Sequence, residues 1–411
     1  MKTYDGEPLN ILHTIGLDVL YPVVRVALNF KTTLNRERFE TALNAVCQVV
    51  PELQCRYEMI TNQWIQVTDN VDDLIFDGIT NVDQHAQKWD LMTQPQLRVY
   101  WCQTENRTRL VFYVSHILTD GAGTKQLLYL IAQAYTAGAS SLTSVHNSQD
   151  ISWLEAQVQS HQVSPARKTD HPDEPLRLPK LSANQPQSLQ VGHVTLTSAE
   201  TRRLIDATHQ AGVTVNDVVM ATFGRVMQNF AGTHSIAMAC PTDMRQFTKT
   251  SANTTQIANM TSRYNLTIDT ELTEPLVNLV ARVHTEMMTH KQERQCFDSI
   301  VGLLTQYHTE PLAKLQQVVE DNYHVREIAY TNFGVIDAQR LRFDQAPIDD
   351  VVMTGGFRQA PMYQIAAGTF NGCLTLAFNM TGSETEFTFG MALARYVRDL
   401  TNQFALDTLM D

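Results

Sequence analysis

Residues 111–128 read VFYVSHILTDGAGTKQLL, and the order of residue types in this stretch decides the fold class. An apolar run of strand character ends on Ser115-His116, Asp120-Gly121 follows four residues after the histidine, and a helix opening at Thr124 carries Leu127, Leu128, Leu130 and Ile131. A histidine is thereby placed where a buried strand gives way to a glycine turn that permits close backbone approach. In α/β proteins such strand-end loops commonly carry chemistry.

Working outward, the same alternation recurs. PVVRVALNF from residue 22 is β-rich, Thr33-Leu34-Asn35 can start a helix, and Phe39, Leu43, Val46 and Val50 follow at helical spacing until Pro51. Further strand-like runs are QWIQVT (63–68), LRVYWCQ (97–103) and LVFYVSH (110–116). Residues 164–189 are polar, hold five prolines and lack apolar periodicity, so they read as a linker or crossover. The chain divides accordingly into segments 1–163 and 190–411. In the second, VGHVTL leads to Thr197-x-x-Glu200, a capping-box spacing for a helix ending near Gly212, and Asn216-Asp217 can cap the next. SIAMACPTDMR is a strand, a long helix covers 274–294, EIAYTNFGV is a strand, and Asn371-Gly372 joins two more strands as a hairpin.

Composition narrows the function classes. At 411 residues with 43% hydrophobic and 18% charged residues, the chain is globular and long enough for two cores with a cleft between them. A net charge of -12 disfavours nucleic acid or an anionic membrane as the main partner. Six cysteines are scattered without metal spacing and read as reduced thiols, and no apolar stretch is long enough for a membrane helix. No metal site is expected, and the expected location is the cytoplasm.

The central stretch departs from the common nucleotide-binding motifs. GAGTK is not a phosphate loop, because Thr124 separates Gly123 from Lys125, and Gln126 stands where a dinucleotide fingerprint needs its third glycine. No G-x-S-x-G or H-E-x-x-H occurs. Cys102 and Cys240 lack an evident base, His161, His171, His284 and His290 read as structural or solvated, and Met287-Met288 as core or helix surface.

His116-Ile117-Leu118-Thr119-Asp120-Gly121 resembles the H-x-x-x-D-G motif of the thioester-dependent acyltransferase superfamily, which includes condensation domains of nonribosomal peptide synthetases, alcohol acetyltransferases and polyketide-associated acyltransferases. RERFETALNAVCQVVPELQCRY (36–57), GVTVNDVVMATF (212–223), PTDMR (241–245), Asn259 and TNFG (331–334) agree with that family in order and approximate spacing. One departure is Ser115, where condensation domains usually carry a second histidine; it leans towards the ester-forming or simpler acetyltransferase branches.

The resemblance implies an α/β fold of two chloramphenicol-acetyltransferase-like halves in a V, each with a mixed sheet and helices, around a central tunnel. It implies acyl transfer from acyl-CoA or a phosphopantetheine thioester on a carrier protein to a hydroxyl or amine of a small acceptor, with no bound cofactor. His116 would be the general base, Asp120 would hold its loop by pairing with Arg245, Gly121 could offer an oxyanion N–H, and Asn259 and Asn332 could line the tunnel. Ser115 should point to the opposite sheet face from His116. A stand-alone condensation-type domain acting in trans, a hydrolase using water as acceptor, and an inactive binding module of the same fold stay open.

Overall fold

The computed structural model describes residues 2–161, 171–181 and 185–410; the expected linker therefore lies partly outside the described residues. In the first segment β1 (Val23–Phe30) leads to α1 (Arg36–Val49), followed by β2 (Ile75–Asp77), β3 (Leu97–Gln103), β4 (Thr108–Ser115) and α2 (Gly121–Ala137). The Asn35 side chain accepts the Arg38 N–H at 2.8 Å and so starts α1 where the sequence placed it. The run at Gln63–Gln66 pairs in a separate three-stranded sheet with Thr3–Asp5 and Cys55–Glu58.

The second segment runs β5 (Ser188–Thr195), α3 (Ser198–Ala211), α4 (Val215–Ala231), β6 (Ser235–Asp243), β7 (Thr261–Asp269), α5 (Leu276–Gln292), β8 (Ile328–Ile336), β9 (Ile348–Thr354), β10 (Tyr363–Phe370), β11 (Cys373–Gly382) and α6 (Glu384–Met410). Thr197 and Glu200 form the expected reciprocal capping box, and Gly212 closes α3 with φ 67°. α4 corrects the sequence reading: its cap is Thr214, whose hydroxyl accepts the Asp217 N–H, so Asn216 and Asp217 lie inside the first turn. The β10–β11 hairpin turns at Asn371 and Gly372, both at positive φ, as a two-residue turn between right-twisted strands requires.

Both main sheets are mixed. One has the order β9-β1-β4-β3-β2, antiparallel except for β2 and β3, and the other the order β5-β11-β10-β8, antiparallel except for β8 and β10. The antiparallel pair β6–β7 packs beside β8.

The segments exchange material across this plan. β9 comes from the second segment yet forms the edge of the first segment's sheet, pairing Val351 with Leu28 and Met353 with Val26. In return the 3-10 turn Pro8–His13 buries Leu9, Ile11 and Leu12 in the second segment's core, among Phe223, Tyr330 and Phe378. The first core is centred on Phe39, Tyr100 and Phe112. No helix among the described residues is long and apolar enough to cross a membrane.

The exchange has a measurable consequence. Leu12→Ala should lower the unfolding free energy by about 3 kcal/mol in urea titrations, whereas Ile60→Ala, at a side chain 81% exposed, should shift it by less than about 0.5 kcal/mol.

Candidate active site

The β4 ladder ends at Ser115, paired with Val23, and the chain is held one step further by the His116 N–H donating to the Pro22 carbonyl at 2.9 Å. Ser115 is buried and absent from the cavity wall, while His116 lines the cavity, as the alternation of a strand predicts. The helix then begins three residues earlier than its leucine spacing suggests. Asp120 caps it by accepting the Gly123 N–H at 2.8 Å, which makes GAG the first turn of α2.

Glycine is a poor helix former, and contacts explain its use here. A Cβ on Gly123 would stand 2.1 Å from Thr119 Oγ1 and 3.0 Å from the Ala258 carbonyl; one on Gly121 would stand 2.5 Å from the Phe333 ring. Phe333 reaches that position through an irregularity in β8 between Asn332 and Val335, where Gly334 has φ 66°. The HILTDG and TNFG stretches therefore meet face to face.

The Asp120 carboxylate is fully engaged. Oδ1 also accepts from Arg245 Nη1 at 3.1 Å, and Oδ2 accepts from Arg245 Nη1 at 2.9 Å and from the Met260 N–H at 2.7 Å. Arg245, in the 3-10 turn Met244–Phe247 after β6, further donates to Asp243 and to the carbonyls of Gln256 and Ala258. Burial would depress its pKa, but the charges of Asp120 and Asp243 outweigh this and raise it. The pair predicted from the resemblance is present, and it leaves no free carboxylate oxygen directed at His116.

His116 Nδ1 is sealed from solvent without a partner in hydrogen-bonding geometry, so Nε2 is the nitrogen open to the cavity. Burial pushes its pKa below 6.5, against the opposing effects of the Asp120 charge and its own carbonyl. A residue that the sequence reading missed covers its ring: His13 stacks on His116 at 3.8 Å between centroids and 25° between planes. His13 is itself half-buried, and its pKa is driven well below 6.5 by desolvation, the neighbouring His116 and Arg263. Only its place at the end of the apolar stretch PLNILH hinted at burial, and no motif marked it.

The cavity has a volume of ≈ 330 Å³ and is walled by both segments, with Gly121, Ala122 and Lys125 from α2 opposite Thr331, Asn332 and Phe333 from β8. Asn332 is exposed on this wall, where it donates to Asn216 and accepts the Gly334 N–H. Asn259 is not on the wall; it is buried and donates to the carbonyls of Leu9 and His116, which ties the histidine to the N-terminal turn. The four histidines read from the sequence as structural or solvated are not among the cavity-lining residues: His284 bonds Asp217, His161 bonds Asp298, His171 stacks on His324 and His290 is buried. Burial pushes the Cys240 thiol up to about 11 and raises that of Cys102, which disfavours thiolate chemistry at either. Met287 is core and Met288 is on the surface. Among the described residues there is no group of three or more His, Cys, Asp or Glu arranged to hold a metal.

Residues 22–345 match the family described as Condensation domain. This chain belongs to the condensation-domain family. The family protein is 20% identical over 359 residues to gramicidin S synthase 2 of Aneurinibacillus migulanus, covering 80% of this chain but only 8% of that much longer protein. Its fold is similar to polyketide synthase associated protein 5 from Mycobacterium tuberculosis, with a TM-score of 0.69, 14% identity and 97% of each chain covered. It is also similar to the trichothecene 15-O-acetyltransferase of Fusarium sporotrichioides, with a TM-score of 0.66, 10% identity, and 98% and 94% of the two chains covered.

The histidine cluster of this condensation-family protein predicts an acid-sensitive fold. His13 and His116 have folded pKa values below their unfolded value near 6.5. The unfolded state therefore binds more protons just below pH 6.5, and stability, complete above that value, falls as the pH drops. Urea unfolding at pH 7.5, 6.5 and 5.5 should show this loss, up to about 1.4 kcal/mol per pH unit for each of the two histidines. His13→Phe, which retains a stacked ring, should reduce the slope.

Proposed function

We propose that this protein is an acyltransferase that moves an acyl group from a thioester, either acyl-CoA or an acyl carrier protein, to a hydroxyl or amine acceptor. The observation that carries this reading is His116 at the end of β4 with Nε2 open to a cavity walled by both segments. Its lowered pKa keeps the imidazole neutral at pH 7, as a base must be.

In the proposed reaction Nε2 removes the acceptor proton as the acceptor oxygen or nitrogen bonds to the thioester carbonyl carbon. Collapse of the tetrahedral intermediate breaks the C–S bond, and the imidazolium returns the proton to the leaving thiolate. The first-turn N–H groups of α2, which have no acceptor within the helix, include that of Gly121 at the cavity wall. That N–H is the proposed donor to the oxyanion. Asp120 and Arg245 act as positioning residues by fixing the α2 N-terminus beneath His116. A thioester is already activated, so no covalent intermediate on the protein is required, and shared binding can supply an effective molarity on the order of 10⁵ M.

A second reading is a condensation-type domain that acts in trans on carrier-bound substrates. It is favoured by the match to a short stretch of a peptide synthetase. The acceptor separates the two: acylation of a free alcohol or amine supports the first, and acylation only of an amine itself held on a carrier protein supports the second.

Mass spectrometry of acyl-CoA and carrier-thioester donors with mixed alcohols and amines should detect an acylated product. Folded His116→Ala should form it about 10²–10⁴-fold more slowly; equal turnover in both proteins would overturn the role of His116. The acid limb of kcat/KM should have its midpoint below pH 6.5. Asp120→Ala should cost about 3–5 kcal/mol of stability by leaving Arg245 without its partner, and full activity in that variant would rule out its positioning role.

A further inference from the structure

Three hydrogen bonds draw the 3-10 turn Pro8–His13 onto the loop that carries His116. Asn10 Nδ2 donates to the Ile117 carbonyl at 2.6 Å, and Asn259 Nδ2 bridges the carbonyls of Leu9 and His116 at 3.1 and 3.2 Å. Leu9, Ile11 and Leu12 anchor the same turn in the second core. The backbone beside His13 is therefore fixed without help from the His13 side chain.

That side chain lies on the cavity wall, half-buried, with Nε2 sealed and no hydrogen-bond partner for it among the described residues. An unpaired buried polar atom is costly, and an apolar residue at position 13 would avoid the cost. What the ring does instead is lie nearly parallel to His116, 3.8 Å away between centroids. Tyr323 meets its far environment edge-on at 6.4 Å, and the Arg263 guanidinium covers the Tyr323 ring at 3.9 Å, so His13 is itself braced.

His116 depends on such a contact. A catalytic imidazole is usually oriented by a hydrogen bond to its second nitrogen. Here Nδ1 has no partner in hydrogen-bonding geometry, and Asp120 directs both oxygens at Gly123, Met260 and Arg245. Rotation of the His116 ring about Cβ–Cγ is a broad torsion, and a second ring stacked on one face narrows it.

The groups acting on the pair are distributed over four elements. His116 faces Asp120 at the start of α2 and His13 of the N-terminal turn, while His13 faces His116, Arg263 of β7 and Tyr323. Lys125, Asp243, His324, Arg326 and Arg358 also line the wall. Burial is the largest influence on His116 and lowers its pKa. A ring covering one face contributes to that burial by excluding water.

We propose that His13 is a positioning residue for the general base: its ring fixes the plane of His116 and keeps water from the covered face. This rests on the acyl-transfer reading of His116 and adds to it a group from outside residues 22–345, the part of the chain that matches the family. His13 touches the base and not the reacting atoms.

The test compares His13→Ala with His13→Phe, which keeps a flat ring, after circular dichroism establishes that both are folded. Two quantities are read: acyl transfer as a function of pH, and the titration of His116 followed by NMR of protein carrying ¹³C-labelled histidine, with His116→Ala assigning the signal. In His13→Ala, kcat should fall on the order of tenfold with KM unchanged. Water admitted to the ring should raise the His116 pKa towards 6.5. Because the base acts when deprotonated, the acid limb of kcat/KM should move up with it, and the loss should be larger at pH 6 than at pH 8. His13→Phe should recover most of kcat and return the His116 titration to its wild-type position. Wild-type kcat or an unmoved His116 titration in folded His13→Ala would overturn the role, as would a loss confined to KM or one that His13→Phe does not repair. A His116 titration that responds to position 13 as expected, in a protein that acylates no acceptor, would overturn the transferase reading and leave the positioning of His116 standing; transfer that requires His116 and is indifferent to His13 would do the reverse.

Discussion

The arrangement around His116 depends on one buried carboxylate. Asp120 caps α2 through Gly123, accepts the Met260 N–H and pairs with Arg245, so it joins a helix start in the first segment to the end of β6 and the start of β7 in the second. Removing a charge from water is costly, and this site offsets the cost by giving each oxygen two donors. The same contacts leave the α2 N–H groups and His116 on one wall of the cavity. Position and stability are thus set by the same bonds.

The parts legible in the sequence are those whose signals are local. Asn371-Gly372 specifies its hairpin, Thr197 and Glu200 specify a helix start, and the resemblance around Asp120 and Arg245 anticipated a pair separated by 125 residues. Misreadings arose where long-range contacts override local preference. GAG looked like a turn because glycine disfavours helices, yet Phe333 and Ala258 leave no room for a side chain at those positions. Strand β9 escaped notice because IDDVVMT begins with an irregular step at Asp349-Asp350 and its partner is more than 300 residues away. His13 and Arg358 carry no pattern at all; only tertiary packing gives them neighbours.

Charge is distributed unevenly between surface and interior. A chain with net charge -12 nevertheless encloses a cavity whose wall, among the described residues, carries more guanidinium and ammonium groups than carboxylates. Low-dielectric walls strengthen such a field, while the negative exterior limits nonspecific attachment to polyanions. The neutral histidines are consistent with this field, because a nearby cation and burial both oppose protonation.

The exchange of β9 and the Pro8–His13 turn also bears on synthesis. A chain emerging N-terminus first exposes Leu9, Ile11 and Leu12 long before their core exists, and the edge of β1 stays unpaired until residue 354 has been made. Neither half can complete itself from its own sequence, so the protein should assemble late and as a unit, with slow, nonlocal strand pairing as its final step. These two sequence-distant segments act as latches, each closing the other's half.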